Sequence, residues 1–231
     1  MTRSIEALVE AQARRWQLFR EERREEPRRA VITVSRQHGA RGSEVARRLA
    51  EELGLDFFDR EIIHRIAESA HLGERVVAAL DEHDRALLTD WLASLASRDY
   101  LSPAEYRYHL SRVIGAVAHH GGVLIMGRGA HLVLGRGEAL RVLVVAPLES
   151  RVRTIMEREG VAEREARHRI TTVEADRRAF LVQHVHAEFA DPTTFDLVVN
   201  TAVLEVEGAC HAVRHALQAL PARANAEALV R

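Results

Sequence analysis

Apolar residues fall into two rhythms along this chain, and their alternation predicts most of the architecture. Short, unbroken apolar runs recur at "AVITV" (30–34), "LDFFD" (55–59), "GVLIMG" (122–127), "LRVLVVAP" (140–147) and "FDLVVNT" (195–201). Runs of this length, bounded by glycine, proline or charged residues, read as strands covered on both faces. Between them apolar positions return every three or four residues, the period of a helix with one buried face. Val45, Leu49 and Leu53 mark such a stripe over 43–53, and Gly54 supplies its stop. From Arg60 to His120 the pattern is almost wholly helical, broken near Gly73 and at Ser102-Pro103, where Ser102 is placed to cap the next helix. A further helical stretch covers roughly 148–189 with a break at Gly160, and a closing helix follows the last strand. Ahead of the first strand, Ile5, Leu8, Val9, Trp16 and Phe19 give residues 4–25 an amphipathic pattern, ended by the charged run around Pro27.

Strands alternating with helices predict an α/β fold of three layers, a five-stranded parallel sheet with helices on both faces. The block between the second and third strands is too long for a simple crossover and reads as a helical insertion over about 60–120. The chain thus divides into an N-terminal amphipathic helix extension (1–27), one α/β domain (28–220) and a C-terminal tail (221–231). The extension is expected to pack on the domain or on a second copy of the chain, which would make a homodimer.

Charge narrows the partners. With 33 basic and 34 acidic residues the net charge is -1, so no global field favours nucleic acid or an anionic membrane, and neither is expected. Lysine is absent from the 231 residues; arginine carries all the basic charge, and its planar fork suits bidentate phosphate contacts. The single cysteine, Cys210 in "EGACHAV", cannot form an internal disulfide and reads as part of the buried face of a helix. No apolar run approaches a membrane span and the first residues lack a signal-peptide core, so a cytoplasmic location is expected. The 13 histidines show no metal-ligand spacing, and a structural metal is not expected.

The first strand leads into "SRQHGARGSE" (35–44), a glycine-bearing turn that opens a helix. Amides at a helix N-terminus, with its partial positive charge, make an anion site. Gly39 and Gly42 let the backbone turn inward, and Ser43 sits where a hydroxyl reaches Mg2+ or a phosphate oxygen. The lysine of a regular P-loop is missing, and Arg36 and Arg41 flank the turn as replacement charge. The same residues also describe a tight strand-to-helix turn in which Ser43 only caps the helix. The loop alone fits both.

Other segments extend the pattern. "ITVSRQHGARGSEVARRLAEELGLDFFDREII", "LIMGRGAHLVL", "LRVLVVAPLESRVRTIMEREG", "RHRITTVEADRRAF" and "FADPTTFDLVVNT" follow one another in the order seen in the cytidylate-kinase-like family, a divergent branch of the P-loop nucleoside monophosphate kinases. The resemblance covers roughly 30–215, and that branch is characterised by an SRxxGxGG-like loop in place of a lysine P-loop. It implies a three-part layout: an ATP-binding core, a helical insertion that helps hold the acceptor nucleotide, and an arginine-bearing lid over about 160–190.

The resemblance also implies roles. Arg36, Gly39, Arg41, Gly42, Ser43 and Glu44 would surround ATP, with Ser43 on Mg2+. Asp59 and Arg60 would meet the acceptor, Asp59 also orienting it or holding Mg2+ through water. Arg128, in "GRG", resembles the arginine that reaches the acceptor phosphate in cytidylate kinases, although Gly129 replaces an aspartate there. Arg169, which would bind substrate, and Arg177 fall in the lid and would close over the transferring phosphate; Glu174 and Arg177 keep an acid-x-x-arginine spacing, with Asp176 a displaced acid and Arg178 a solvated neighbour. Asn200-Thr201 reads as a structural turn. The implied activity is ATP-dependent phosphoryl transfer to a nucleoside monophosphate, most naturally CMP or a related pyrimidine nucleotide, through Arg128, Arg177 and Asp59. Two other functions fit the residues: a nucleotide-binding regulator without transfer activity, and a small-molecule kinase on the same scaffold.

Overall fold

The computed structural model describes residues 30–59, 63, 104–185 and 191–220. The expected N-terminal helix and any dimer it makes, Arg60, the bulk of the helical insertion with Ser102, residues 186–190 of the lid, and the tail lie outside the described residues.

Strand β1 (Val31–Arg36) leads to helix α1 (Gly42–Leu53) and strand β2 (Asp56–Phe58). After the insertion come α2 (Ala104–His120), β3 (Val123–Met126), a short α3 (Ala130–Val133), β4 (Leu140–Val145), α4 (Leu148–Glu159) and α5 (Glu163–Val185). A 3-10 turn (Pro192–Thr194), β5 (Leu197–Asn200) and α6 (Thr201–Ala219) complete the order. All five expected strands are present, each trimmed or shifted by one or two residues at its ends. Helix 148–189 is divided at Gly160, whose φ of 64° ends α4.

The sheet has the order β2-β3-β1-β4-β5, and every pairing is parallel. Alternation along the strands sorts the side chains. Ile32 and Val34 of β1, Leu124 and Met126 of β3, and Val142 and Val144 of β4 share one core with Val45, Ala46 and Leu49 of α1 and Ala209, Cys210 and Val213 of α6. The intervening residues Val31, Thr33, Val123, Ile125 and Leu143 are buried on the opposite face, where α2 packs on β3 and α3 on β1. Burying both faces accounts for the unbroken apolar runs. Cys210 is fully buried in α6, as its context predicts. Among the described residues no helix is long and apolar enough to cross a membrane.

Helices α4 and α5 form a smaller unit with its own apolar contact of Val152, Ile155, Ala166 and Ile170. Along α5 that face continues through Glu174, Arg177 and Leu181, spaced by four, three and four residues. The stripe changes from apolar to charged where the helix leaves α4 and lies over the loops of the sheet. This placement builds the site.

Candidate active site

Because the strands are parallel, the segments after them gather along one edge of the sheet, the edge where open α/β folds bind ligands. Two arginine-bearing turns lie there, after the adjacent strands β1 and β3.

The turn after β1 is fixed from several sides. The Gln37 N–H donates to the Val144 carbonyl at 3.0 Å. The Gln37 side-chain oxygen accepts from the Ala146 N–H at 3.1 Å. The Thr201 hydroxyl, at the start of α6, donates to the Ala40 carbonyl at 2.9 Å. Gly39 has φ +83°, and a Cβ there would lie 2.7 Å from the Arg151 carbonyl oxygen; one on Gly42 would lie 2.5 Å from Arg36 Cβ. Both positions exclude a side chain by contact. Helix α1 starts at Gly42 behind Arg41, a left-handed residue, and no side chain caps it. The cap reading of Ser43 is therefore corrected: Ser43 is already inside the first turn, two residues past the N-cap position held by Arg41. First-turn N–H groups stay available to an anion.

The turn after β3 holds three successive left-handed residues, Gly127, Arg128 and Gly129, at φ 87°, 54° and 69°. Left-handed backbone costs a non-glycine residue about 1–2 kcal/mol, so Arg128 is held there by its surroundings. Its guanidinium carbon lies 4.8 Å from the centre of the Phe180 ring of α5. Under α5 the end of β1 and the turn after β3 enclose a cavity of about 310 Å³, lined by Ser35, Arg36, Arg128, His131, Asp176, Arg177 and Phe180 among others. Three arginines against one aspartate give its lining an excess of positive charge, and its size is near the lower end of small-ligand pockets. Arg177 Nη1 also donates to the Arg36 carbonyl at 2.8 Å, which anchors α5 on the end of β1.

His131 forms a neutral part of the lining. Its ring stacks on Phe195 at 4.4 Å between centres, and Nδ1 lies 3.2 Å from the Ser35 hydroxyl. Burial, with a smaller push from Arg141, lowers its pKa to about 4. His38 in the first turn is also lowered to about 4, chiefly by burial and then by Arg177.

Comparison with known proteins fits this arrangement. Residues 31–203 match the cytidylate kinase-like family. The chain belongs to that family. It is 27% identical to a cytidylate kinase of Ignicoccus hospitalis over 81% of this chain and 98% of that protein. It is 30% identical to a cytidylate kinase of Aeropyrum pernix over 75% of this chain and 91% of that protein. A solved structure of an uncharacterized protein from Eubacterium ventriosum superposes with TM-score 0.57 at 18% identity, covering 83% of this chain and 99% of that one, and shows the shared fold.

Within this cytidylate kinase-like chain the expected site residues separate. Arg36, Arg128 and Arg177 meet in the cavity. Gly39, Gly42, Ser43 and Glu44 form the neighbouring loop and first turn of α1 and do not line that cavity. Arg41 bonds Glu44 at 2.8 Å on the surface. Arg169 pairs with Glu165 and Glu159 at 2.7 and 2.6 Å on the exposed side of α5. Arg178 is exposed. Asp59 follows β2 at the same sheet edge, and its carbonyl accepts from the Ile63 N–H at 3.1 Å. Among the described residues no cluster of three or more His, Cys, Asp or Glu is placed to hold a metal.

Sequence reasoning missed Gln37, His131, Arg151 and Phe180. Phe180 carried a signal, standing three residues after Arg177 and hence on its face of α5. Arg151 carried one too, in the first turn of the helix that follows β4. Asn200 caps α6 by accepting from the Ala202 N–H at 3.0 Å, the structural role expected of that turn.

Proposed function

We propose that this chain transfers a phosphoryl group from ATP to a nucleoside monophosphate, with CMP or a related pyrimidine nucleotide as acceptor. The observation that carries this reading is the meeting of Arg36, Arg128 and Arg177 in one cavity beside a glycine turn that opens a helix. Donor and acceptor phosphates repel each other, and transfer between them is largely a matter of positioning and charge neutralisation. The loop Gly39–Ser43 and the first turn of α1 suit the donor phosphates, because no side chain caps the helix and its first-turn amides can meet an anion. The Ser43 hydroxyl would ligate Mg2+, which when bound neutralises charge on the donor phosphates. Arg128 and Arg177, from opposite walls, would grip the acceptor phosphate by charge-assisted hydrogen bonds. Asp59 would orient the acceptor. Helix α5, anchored through Arg177, covers the cavity and keeps water from the reacting centre.

The test is ADP formation from ATP and Mg2+ with a panel of monophosphates. Turnover fastest with CMP is expected. Tight ATP binding with no turnover on any acceptor would move the chain to a regulatory role. Turnover confined to a non-nucleotide acceptor would make it a small-molecule kinase.

A further inference from the structure

Glu174 occupies a position that the proposed chemistry reserves for something else. Its Oε1 accepts from the His38 N–H at 3.3 Å and from Arg151 Nη1 at 2.5 Å. The same Arg151 nitrogen lies 3.4 Å from the His38 carbonyl, and the Arg151 backbone oxygen presses on Gly39. Arg151 is only 8% exposed, and its Nε is buried with no hydrogen-bond partner. A carboxylate oxygen shared by a loop amide and a buried guanidinium is the arrangement of a bound anion. This anion is covalently part of α5, the helix that also covers the cavity.

We infer that the His38 amide and the Arg151 guanidinium form the charged anion position of the loop, and that Glu174 competes for it with a phosphoryl oxygen of the donor nucleotide. The inference rests on the proposed nucleoside triphosphate donor. Arg151 then provides the charge that a lysine supplies in a regular P-loop, and it does so from α4 rather than from the loop. Neither of the flanking arginines is arranged that way: Arg41 is turned to Glu44, and Arg36 lines the adjacent cavity. Two like charges cannot share one guanidinium and one amide at this spacing, so Glu174 must leave as phosphate arrives. A phosphoryl group gains more from Arg151 than a carboxylate does, having more charge and three acceptor oxygens. Nucleotide affinity is reduced by the fraction of molecules in which Glu174 holds the position.

Calorimetric titration of the full chain with inorganic tripolyphosphate, and separately with ATP, tests this without any acceptor. Glu174→Gln removes the competing charge and should tighten tripolyphosphate binding about tenfold, while Arg151→Met should weaken it about tenfold. Arg151→Lys restores a cation and should stay within about threefold of the parent. Thermal melts confirm that each variant is folded, and Glu174→Ala repeats the measurement with no side-chain hydrogen bond left. Unchanged or weaker binding in both Glu174 variants would overturn the inference, as would parent-like binding by Arg151→Met. If the binding results hold but no monophosphate is phosphorylated, the kinase reading fails and the anion site stands. If CMP is phosphorylated but the Glu174 variants bind no more tightly, the kinase reading stands and this inference fails.

Discussion

The turns after β1 and β3 look alike in sequence and differ in what they do with their arginine. Each places an arginine at φ 54° directly before a glycine, at the carboxyl edge of neighbouring strands. Arg41 sends its guanidinium along the surface to Glu44, three residues ahead in its own helix. Arg128 sends its guanidinium under α5, over the Phe180 ring, into a cavity with Arg36 and Arg177. The backbone strain is the same, so strain alone does not mark a functional arginine. What packs opposite decides: α5 covers the second turn and leaves Arg41 to solvent. A guanidinium in a half-enclosed cavity interacts with an incoming phosphate at a lower effective dielectric than one in water, and its contribution is correspondingly larger.

The sharpest way to break the comparison is to remove each arginine in turn. Arg128→Ala should lower kcat/KM about 100-fold or more through the acceptor, the loss of one or two charge-assisted hydrogen bonds, with ATP affinity unchanged. Arg41→Ala should change either parameter by no more than about twofold, because exposed pairs contribute little. Steady-state kinetics with each substrate varied, together with ATP titrations, would show both. Equal losses in the two variants would erase the distinction.

A second contrast is titration. His131 follows the Arg128 turn and ties it to Ser35 at the end of β1. The unfolded chain takes up this proton near pH 6.5, and the folded chain resists until about pH 4. Between those values the unfolded state binds more protons, so the stability contributed by neutral His131 is full above about pH 6.5 and is lost as pH falls. At pH 5 the loss should reach about 2 kcal/mol. Urea unfolding at pH 7.5 and 5 should show a drop that His131→Gln largely removes. His38, in the first turn, is lowered in the same direction by burial and Arg177, but it is half-buried and should add less. An equal drop in parent and His131→Gln would transfer the effect to other groups.

These contrasts also show what the residue order discloses. The five strands were legible because burial on both faces leaves apolar runs, and the glycine turns were legible because close approach leaves no other residue. Arg128 stood out as a charge where a plain turn requires none, and Arg177 through the acid-x-x-arginine spacing that the family resemblance supplied. His131 did not, and Arg151 showed only its place in the first turn of α4, because their roles depend on which helix face meets which loop. The stripe on α5 is apolar at Ala166 and Ile170 and polar at Glu174 and Arg177, so its hydrophobic periodicity fades at the part that covers the site. Sequence spacing records a helix's own faces, but not the partner that each face meets.

The smallest effect tests whether Arg41 is as idle as its geometry suggests. Arg41→Gly relieves a left-handed non-glycine residue, an effect of about 1–2 kcal/mol, against the loss of a surface pair and the added freedom of glycine in the unfolded chain. The net should be a gain in stability of about 0.5 kcal/mol, read as a slightly raised Tm, with ATP affinity within about twofold of the parent. A tenfold loss of ATP affinity in the same variant would mean that Arg41 leaves Glu44 for the donor phosphates once nucleotide is present. The two turns would then differ only in the empty protein, and the contrast between them would be one of state rather than of construction.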